Sequence, residues 1–430
     1  MSSFAHLPKS IATKGDSMTA LLDRSAPGNL FDLTPPYAQT LWKNLPFGGD
    51  DTSGGIGTEG DIVYTTSDGV DINALWDEAQ AAVAVWNSGR NRLVNLLTFP
   101  VTNEIETVPQ VGEAAFEVAT EFGEPQGERL KLGYFQLGFD FEDYDRATRF
   151  SWKALRDMDA RQVRAVNNAL LQADDKLVFK MVMSAVFDNR DRETDIRNKA
   201  YKVYPLYNAD SVVPPSYRGK TFTGSHTHYM VSGNTVIDSK DLEDAYENIA
   251  EHGYTIEAGT QIVCFMNRNQ LREVRKVRMN EENNNDAIAE YDFIPSRNQP
   301  AQFLDVPTGL LGALPPDTWN GFRTYGSYGD ILLIEEPFMP DGYFMMVGTG
   351  GLGNLQNLVG LREHRNPVYR GLRIIPGNDQ RYPLIESYYT RAFGTGIRQR
   401  AGGVVMQIKA SGSYDVPVLY DRHDAGFMLW

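Results

Sequence analysis

RFSWKALRDMDARQVRAVNNALLQADDKLVFKMVMSAVFD, residues 149–188, carries the strongest periodic signal in the chain. Apolar residues recur every three to five positions, which is the spacing of one face of an α-helix. An unbroken helix over this range would be about 60 Å long at 1.5 Å per residue. Its second half is apolar on all sides, so we expect that end to be buried. The predicted apolar stripe comprises Trp152, Leu155, Met158, Val163, Val166, Leu170, Ala173, Leu177 and Met181.

A long pair of strands is predicted before this helix. In residues 101–145 apolar and polar residues alternate, which is typical of β-strands, and the run GEPQG at 123–127 forms the turn between them. The alternation changes parity near Gly133 and Tyr134, which predicts a β-bulge there. A ribbon of two strands is only marginally stable in water. We therefore expect its apolar face to pack on a neighbouring surface.

Shorter elements are predicted on both sides of these two. Asp71 is the expected N-cap of a helix over about 72–97, with a break near Gly89. Residues 331–334 and 344–347 are expected to be strands paired with each other. The remaining predictions are a loop-like segment over 189–236, a helix over 240–252, a strand over 260–266, a helix from Asn267 to about Met279, and strands at about 384–393 and 404–409 around a turn at 394–396.

The composition disfavours several classes of protein. The 430 residues include 41 basic and 56 acidic side chains, for a net charge of −15. A classical DNA-binding protein is disfavoured, because affinity for nucleic acid comes mostly from cations. The single cysteine, Cys264, lies in an apolar run, where we expect a buried thiol, and it excludes an intrachain disulfide. No signal-peptide core or segment of about 20 apolar residues is present, so we expect a soluble protein made in a cytoplasm.

The motifs that could carry chemistry are weak. Residues 348–353, GTGGLG, match G-x-G-x-x-G but lack a surrounding βαβ unit, so we interpret them as a surface loop. His226 and His228 could present two imidazoles to a metal. No carboxylate or third histidine is close to them in sequence, so we predict that neither holds a metal. We therefore expect no catalytic, cofactor-binding or metal-binding residue in this chain.

Arginines make the C-terminal quarter locally basic. We interpret them as ion-pair and subunit-contact residues, in preference to nucleic-acid contacts, because the whole chain is acidic. They are Arg362, Arg365, Arg370, Arg373, Arg391, Arg398 and Arg400.

The order of these elements resembles the major capsid proteins of tailed double-stranded DNA phages, which have the Hong Kong 97-type fold. The sequence itself is most similar to the capsid proteins of phages that infect actinobacteria. The residues that carry the resemblance are the ribbon 105–141, the helix 149–188, the strand-then-helix run TQIVCFMNR at 260–268, and the closing run from YYTRAFG at 388–394 through GVVMQIK at 403–409. The resemblance covers most of the chain and implies an α+β fold.

The resemblance also implies a division of the chain. The implied parts are an N-terminal arm at 1–70, a helix leading into the E-loop at 71–100, the E-loop ribbon at 101–145, a P-domain at 146–236 with its spine helix at 149–188, an A-domain at 237–360, and returning P-domain strands with a C-terminal tail at 361–430. In shells of this family the arm and the E-loop lie across neighbouring subunits.

The implied function is structural, and no enzyme activity or cofactor is expected. Hexamers and pentamers of the chain would assemble, in the host bacterial cytoplasm, into an icosahedral head shell of the virion. The shell would enclose double-stranded DNA without sequence-specific binding and without a membrane. The implied partners are a portal, a possible decoration protein and a separate scaffolding protein, since residues 1–70 lack the helical periodicity of a fused scaffold. Candidate inter-subunit contacts are Phe116, Val118, Phe122, Leu130, Leu132, Arg398, Arg400 and Trp430.

Some features of the family have no match here. Lys131 lies on the ribbon, but its asparagine and glutamate partners for an isopeptide crosslink cannot be identified, so no crosslink is predicted. Two other functions stay open at this point. One is the shell of an encapsulin-type nanocompartment, although those chains are usually much shorter, and the other is an enzyme with an unrecognised site.

Overall fold

The computed structural model describes residues 65–89, 91–111, 132–196, 198–296, 315–376 and 384–427. The helices are α1 Ile72–Ser88, α2 Arg92–Leu97, α3 Trp152–Asp157, α4 Ala160–Phe187, α5 Ser239–Ala250 and α6 Arg268–Val274. The strands of the first half are β1 Thr98–Val101, β2 Ile105–Val111, β3 Leu132–Gly138, β4 Glu142–Ser151, β5 Arg192–Ile196, β6 Lys199–Val203 and β7 Tyr229–Val231. The later strands are β8 Gln261–Met266, β9 Phe293–Pro295, β10 Thr318–Trp319, β11 Phe322–Tyr328, β12 Ile331–Glu335, β13 Tyr343–Thr349, β14 Val359–Glu363, β15 Leu372–Pro376, β16 Leu384–Ile397 and β17 Gly403–Gln407.

Two sheets form the body of the described chain. The smaller sheet has the order β1-β14-β16-β15, and β4 also pairs with β16. The larger sheet has the order β10-β11-β12-β8-β13-β17-β7, and β9 also pairs with β11. The antiparallel pairs β2–β3 and β5–β6 are separate from both sheets. None of the described helices is both long and apolar enough to span a bilayer.

The larger sheet is buried on both faces, as the alternation of side chains along β8 shows. Val263 and Phe265 point into a core that they share with the second half of α4. Ile262, Cys264 and Met266 point into a second core that they share with α5 and α6. Complete burial raises the pKa of the Cys264 thiol well above its ordinary value. The prediction of a buried thiol is therefore confirmed.

Residues 149–188 contain two helices and not one. The break between α3 and α4 comes at Asp159, whose side chain caps α4 by accepting a hydrogen bond from the Gln162 N–H at 2.9 Å. The Asp159 N–H in turn donates to the Gln162 side-chain oxygen at 3.3 Å. The second half of α4 is buried on all sides from Val178 to Phe187, as its composition predicts. Its 28 residues make a rod of about 42 Å.

The buried face of the first half of α4 differs from the predicted stripe. Val163, Asn167, Leu171 and Asp174 point inward, whereas Val166 is only partly buried. The two polar residues are tolerated because strand β16 supplies partners for them. The Tyr389 hydroxyl donates to Asn167 at 2.9 Å, and the Arg391 guanidinium donates to Asp174 at 2.6 Å. Such pairing removes most of the cost of burying a polar group. Leu170 is likewise partly buried and Ala173 is exposed.

Two strand predictions are wrong. β12 and β13 do not pair with each other, because β8 lies between them in the larger sheet. Residues 394–396 are not a turn, since β16 runs straight through them. The glycines are required there because other parts of the chain approach the strand closely. A Cβ at Gly396 would lie 2.7 Å from the Phe139 ring, and one at Gly394 would overlap the Asp140 carbonyl.

The predicted bulge in the ribbon is also wrong. β2 and β3 pair without a register shift from Ile105 opposite Gly138 to Val111 opposite Leu132. The parity of apolar residues changes because the ribbon ends at Gly138. Phe139 then turns inward, is completely buried and packs with Phe99 and Val101. β4, which follows, belongs to the smaller sheet.

Candidate functional site

The root of the β2–β3 ribbon packs on its own chain. The Phe135 and Tyr204 rings lie 4.6 Å apart between centroids. Gly138 allows the close approach of the β5–β6 hairpin, since a Cβ there would lie 3.0 Å from the Lys202 carbonyl oxygen and 3.2 Å from Thr194 Cγ2. This hairpin was not predicted, because it lies in the polar segment 189–236, whose composition is typical of a loop. The ribbon therefore has an internal partner at its root.

Further along the ribbon a large side chain lies in solvent. Tyr134 on β3 is 72% exposed, whereas Leu137, three residues closer to the root, is 2% exposed. Leu132 pairs with Val111 at the last described position of the ribbon. The remaining ribbon candidates and the C-terminal candidate lie outside the described residues; they are Phe116, Val118, Phe122, Leu130 and Trp430.

Arg398, another candidate, lies at the ribbon root. Its guanidinium pairs with Glu106 of β2 at 3.0 Å, and it stacks 5.3 Å from the centre of the Phe99 ring. The Arg398 side chain is 30% exposed and that of Glu106 is 25% exposed. Part of the arginine is therefore accessible to a neighbouring molecule.

Arg400 has a different environment. It is 4% exposed, and its Nε donates to the Pro205 carbonyl at 2.9 Å. Its Nη2 pairs with Asp210 at 2.8 Å, and the guanidinium lies 4.4 Å from the centre of the Tyr207 ring. These contacts hold the segment before β7 against Arg400, which follows β16. They leave little of the Arg400 side chain accessible to a neighbouring subunit.

A buried ionic network lies where the ribbon joins the body, and sequence analysis gave no sign of it. Asp140 contacts Arg192 and Arg422, and it accepts a hydrogen bond from the Thr395 N–H. Burial alone would raise the pKa of the Asp140 carboxyl. The charges of Arg192 and Arg422 outweigh that effect, so its pKa lies below the ordinary value. Asp140 is therefore held as a carboxylate.

Arg422 connects this network to the long helix. Its Nε donates to the Ser184 hydroxyl and its Nη2 donates to the Met181 carbonyl, both at 2.9 Å. Burial lowers the pKa of Arg422 to about 10, so it stays charged at neutral pH. The ribbon, α4 and the segment after β17 are thus tied together at one buried point.

Three histidines form a second cluster. His226 and His228 lie just before β7, and His252 lies two residues after the end of α5. The Nε2 atoms of the three rings converge: His226 is 3.1 Å from His228 and 2.9 Å from His252, and His228 is 3.2 Å from His252. No third histidine is close to this pair in sequence, but the fold brings His252, 24 positions after His228, beside both of them.

The histidine cluster is partly buried, since His226 and His252 are half-buried. His228 is completely buried, and burial lowers its pKa well below the ordinary value. Burial also lowers the pKa of His226, and it lowers that of His252 to about 4. The Phe222 ring stacks on His252 at 4.1 Å between centroids. At neutral pH all three imidazoles are therefore uncharged.

The glycine-rich loop at 348–353 has structural contacts. The chain continues from β13 as turns through residues 350–358, with no helix in that described segment. The Thr349 hydroxyl donates to Asn357 at 2.7 Å, and the Gly353 N–H donates to the Asn95 carbonyl at 2.7 Å. A dinucleotide fingerprint requires a helix at this point, so the geometry favours the interpretation as a loop.

Comparison with known proteins identifies the family. A solved structure from Mycobacterium phage Patience is 48% identical to this chain with a TM-score of 0.69, and the match covers 87% of this chain and 99% of that one. The chain belongs to the major capsid proteins of tailed phages. No family model matches the sequence, and no curated protein matches it. The capsids of Cyanophage P-SCSP1u and bacteriophage PhiM1 match at 12% and 10% identity, each with a TM-score of 0.42, over 75% of this chain and 89% of each of those chains.

As a major capsid protein, the chain has the Hong Kong 97-type α+β fold and is a structural component of the virion. Copies of it assemble with one another into an icosahedral capsid shell. In this capsid protein the Asp140 network and Arg400 join distant parts of one chain, whereas Tyr134 is exposed and Arg398 is partly exposed.

Proposed function

We propose that this capsid protein builds its shell by extending residues 1–70 and the ribbon 101–145 over neighbouring subunits. Residues 71–100 lead into the ribbon. Residues 146–236, in which α4 is the spine helix within the span 149–188, and the returning residues 361–430 form the P-domain, which is the body of the subunit. Residues 237–360 form the A-domain, around which hexamers and pentamers close.

The exposed Tyr134 carries this proposal. It lies on a strand pair that contacts the rest of the chain through Phe135, Gly138 and Glu106. A large exposed aromatic side chain on a rigid strand is a favourable anchor in a protein interface. We propose that the ribbon candidates beyond it, Phe116, Val118, Phe122, Leu130 and Leu132, extend the same contact, and that Arg398 lies at its edge.

The charge of the chain supports a passive role toward the genome. With a net charge of −15, the chain as a whole has no general attraction for DNA phosphates. The shell would enclose double-stranded DNA without reading its sequence and would catalyse no reaction. We also propose that assembly takes place in the host cytoplasm on a separate scaffolding protein, around a portal, and that a decoration protein is a possible later addition.

The proposal is tested by expressing the full chain with and without the other head proteins of its phage. We expect negative-stain electron microscopy to show closed shells, or rings of five and six subunits. Sedimentation that shows only a monomer of 48.1 kDa under both conditions would contradict the proposal.

A further inference from the structure

We propose that His226, His228 and His252 bind one Zn²⁺ ion through their Nε2 atoms. The ion would join the end of α5 to the segment that leads into β7, and so would act as a structural crosslink within the capsid subunit. Imidazole nitrogen is a preferred ligand of Zn²⁺.

The spacing of the three nitrogens fits such an ion. In a tetrahedral site with Zn–N distances of 2.0–2.1 Å, neighbouring nitrogens are about 3.3 Å apart. The three Nε2 separations here are 2.9, 3.1 and 3.2 Å. A rearrangement of a few tenths of an ångström would therefore complete the site, and a water molecule would fill the fourth position.

Hydrogen bonding between the rings cannot explain this convergence. His228 Nδ1 lies 2.7 Å from the Gly403 carbonyl oxygen, which can only accept, so the proton of the neutral ring is on Nδ1 and Nε2 is bare. If His226 and His252 both carry a proton on Nε2, those two protons face each other across the shortest separation. If either nitrogen lacks its proton, at least one pair of bare nitrogens remains in contact. A cation between the rings satisfies all three lone pairs at once.

The surroundings hold the ligands in place. The hydrogen bond from His228 to the Gly403 carbonyl is the outer-shell contact that orients a metal-binding imidazole. The backbone of His228 is fixed as well, since its N–H donates to the Tyr207 carbonyl at 2.7 Å and its carbonyl accepts from Val405 at 2.9 Å. The Tyr207 ring stacks on His252 at 6.1 Å between centroids, a contact that a fully solvated surface histidine would lack.

The chain turn that delivers His252 is also built for close packing. Gly253 has a φ of +90°, which favours glycine, and a Cβ there would lie 2.7 Å from the Tyr217 ring. The turn brings His252 back toward the segment before β7, and Glu251 is engaged by Lys220 of that segment. The Lys220–Glu251 ion pair and the packing of Gly253 against the Tyr217 ring therefore already join the elements that the ion would connect.

The test uses the full chain without a polyhistidine tag. The protein is incubated with about a tenfold excess of ZnCl₂, desalted, and its zinc measured by mass spectrometry. We expect about one zinc per chain in the wild type and less than about a tenth of that in His252→Gln. The control is His423→Gln, which removes an exposed histidine and should leave the zinc content unchanged.

A second measurement needs no variant. Co²⁺ bound in place of Zn²⁺ should give the strong visible absorption of a tetrahedral complex, and a chelator should abolish it. Wild-type protein that keeps no more zinc than His252→Gln, or that shows only the weak spectrum of hydrated Co²⁺, overturns the proposal. If His252→Gln fails to fold by circular dichroism, His226→Gln replaces it, and the cobalt spectrum of the wild type still decides.

Discussion

The helix α4 and the β2–β3 ribbon are both extended elements with periodic apolar residues, yet they differ in where their partners lie. In α4, Val182, Val186 and Phe187 are completely buried within the chain. In the ribbon, Leu137 is buried at the root, but Tyr134 is 72% exposed. Periodic apolar residues show that one face of an element will be buried. They do not show whether its own chain or a neighbouring subunit will bury it. The burial in the isolated subunit separates an element that stabilises the fold from one that is available for assembly.

The largest effect is expected from a charge in the helix. Val182→Asp places a carboxylate in a completely buried position, which costs several kcal/mol when it has no partner. The total stability of a domain is only about 5–15 kcal/mol. We expect an insoluble or unfolded subunit by circular dichroism.

Val85→Asp is the matched control for that substitution, since Val85 also lies on a helix but is 73% exposed. We expect the helix content of this variant to be near that of the wild type. Equal loss of structure in both variants would show that burial in α4 does not decide stability.

A smaller loss is expected at the joint between the two elements. Asp140→Asn leaves Arg192 and Arg422 without their carboxylate, and breaking such a buried pair costs about 3–5 kcal/mol. Urea unfolding of unassembled subunits measures this change. The control is Asp143→Asn, an exposed aspartate close by, which should change the free energy of unfolding by less than about 0.5 kcal/mol.

The same joint should respond to acid. The pKa of Asp140 is lowered in the folded chain, so the carboxylate contributes stability at pH values above its unfolded pKa, and the contribution is lost as the pH falls through the lowered folded value. We expect the wild type to lose stability relative to Asp140→Asn below about pH 4. If the free energies of unfolding of the wild type and Asp140→Asn differ by the same amount from pH 7 to pH 2, Asp140 is not held as a carboxylate.

At the ribbon root the expected effect is small. Glu106→Gln removes the ion pair with Arg398, in which both side chains are partly exposed, and such pairs contribute about 0–1 kcal/mol. The difference from the wild type should shrink further at high salt. A loss above about 2 kcal/mol would mean that the ribbon root is a larger part of the core than its burial suggests.

On the ribbon itself we expect no loss of subunit stability. Tyr134→Asp changes a side chain in solvent, so the unfolding curve of the unassembled subunit should match the wild type within about 0.5 kcal/mol. Assembly should nevertheless fail or give fragile shells by electron microscopy. Tyr369→Asp is the control, because Tyr369 is 45% exposed and lies outside the ribbon. Normal shells from Tyr134→Asp would remove the ribbon from the assembly contact.

Local signals predicted the local structure well. The Asp71 side chain accepts from the Asn73 N–H at 2.8 Å, as an N-cap should, and Asn267 caps α6 in the same way. The helix after Asn267 ends at Val274, earlier than its predicted end near Met279. The apolar end of α4 is buried because no polar face is available to place in water. Capping and periodicity depend on residues within a few positions of each other, so one sequence contains the information.

Features that depend on distant residues could not be predicted. β8 enters between β12 and β13 from about 70 residues earlier, which no local pattern indicates. Gly394 and Gly396 resembled a turn, although their small size serves the packing of residues 139 and 140. Similarly, His252 is the last residue of the predicted helix 240–252, but only the topology places it beside His226 and His228. Strand order, the role of these glycines and the position of His252 all depend on tertiary contacts, which the local sequence pattern does not specify.

The most direct test of the difference between helix and ribbon is a cryo-electron microscopy map of the assembled shell. We expect the Tyr134 ring of each subunit to lie within about 4.5 Å of atoms of a neighbouring subunit. Residues of α4 from Val178 to Phe187 should contact only their own chain. A map in which the ribbon folds back on its own subunit, with Tyr134 covered by that subunit or left in solvent, would contradict the account.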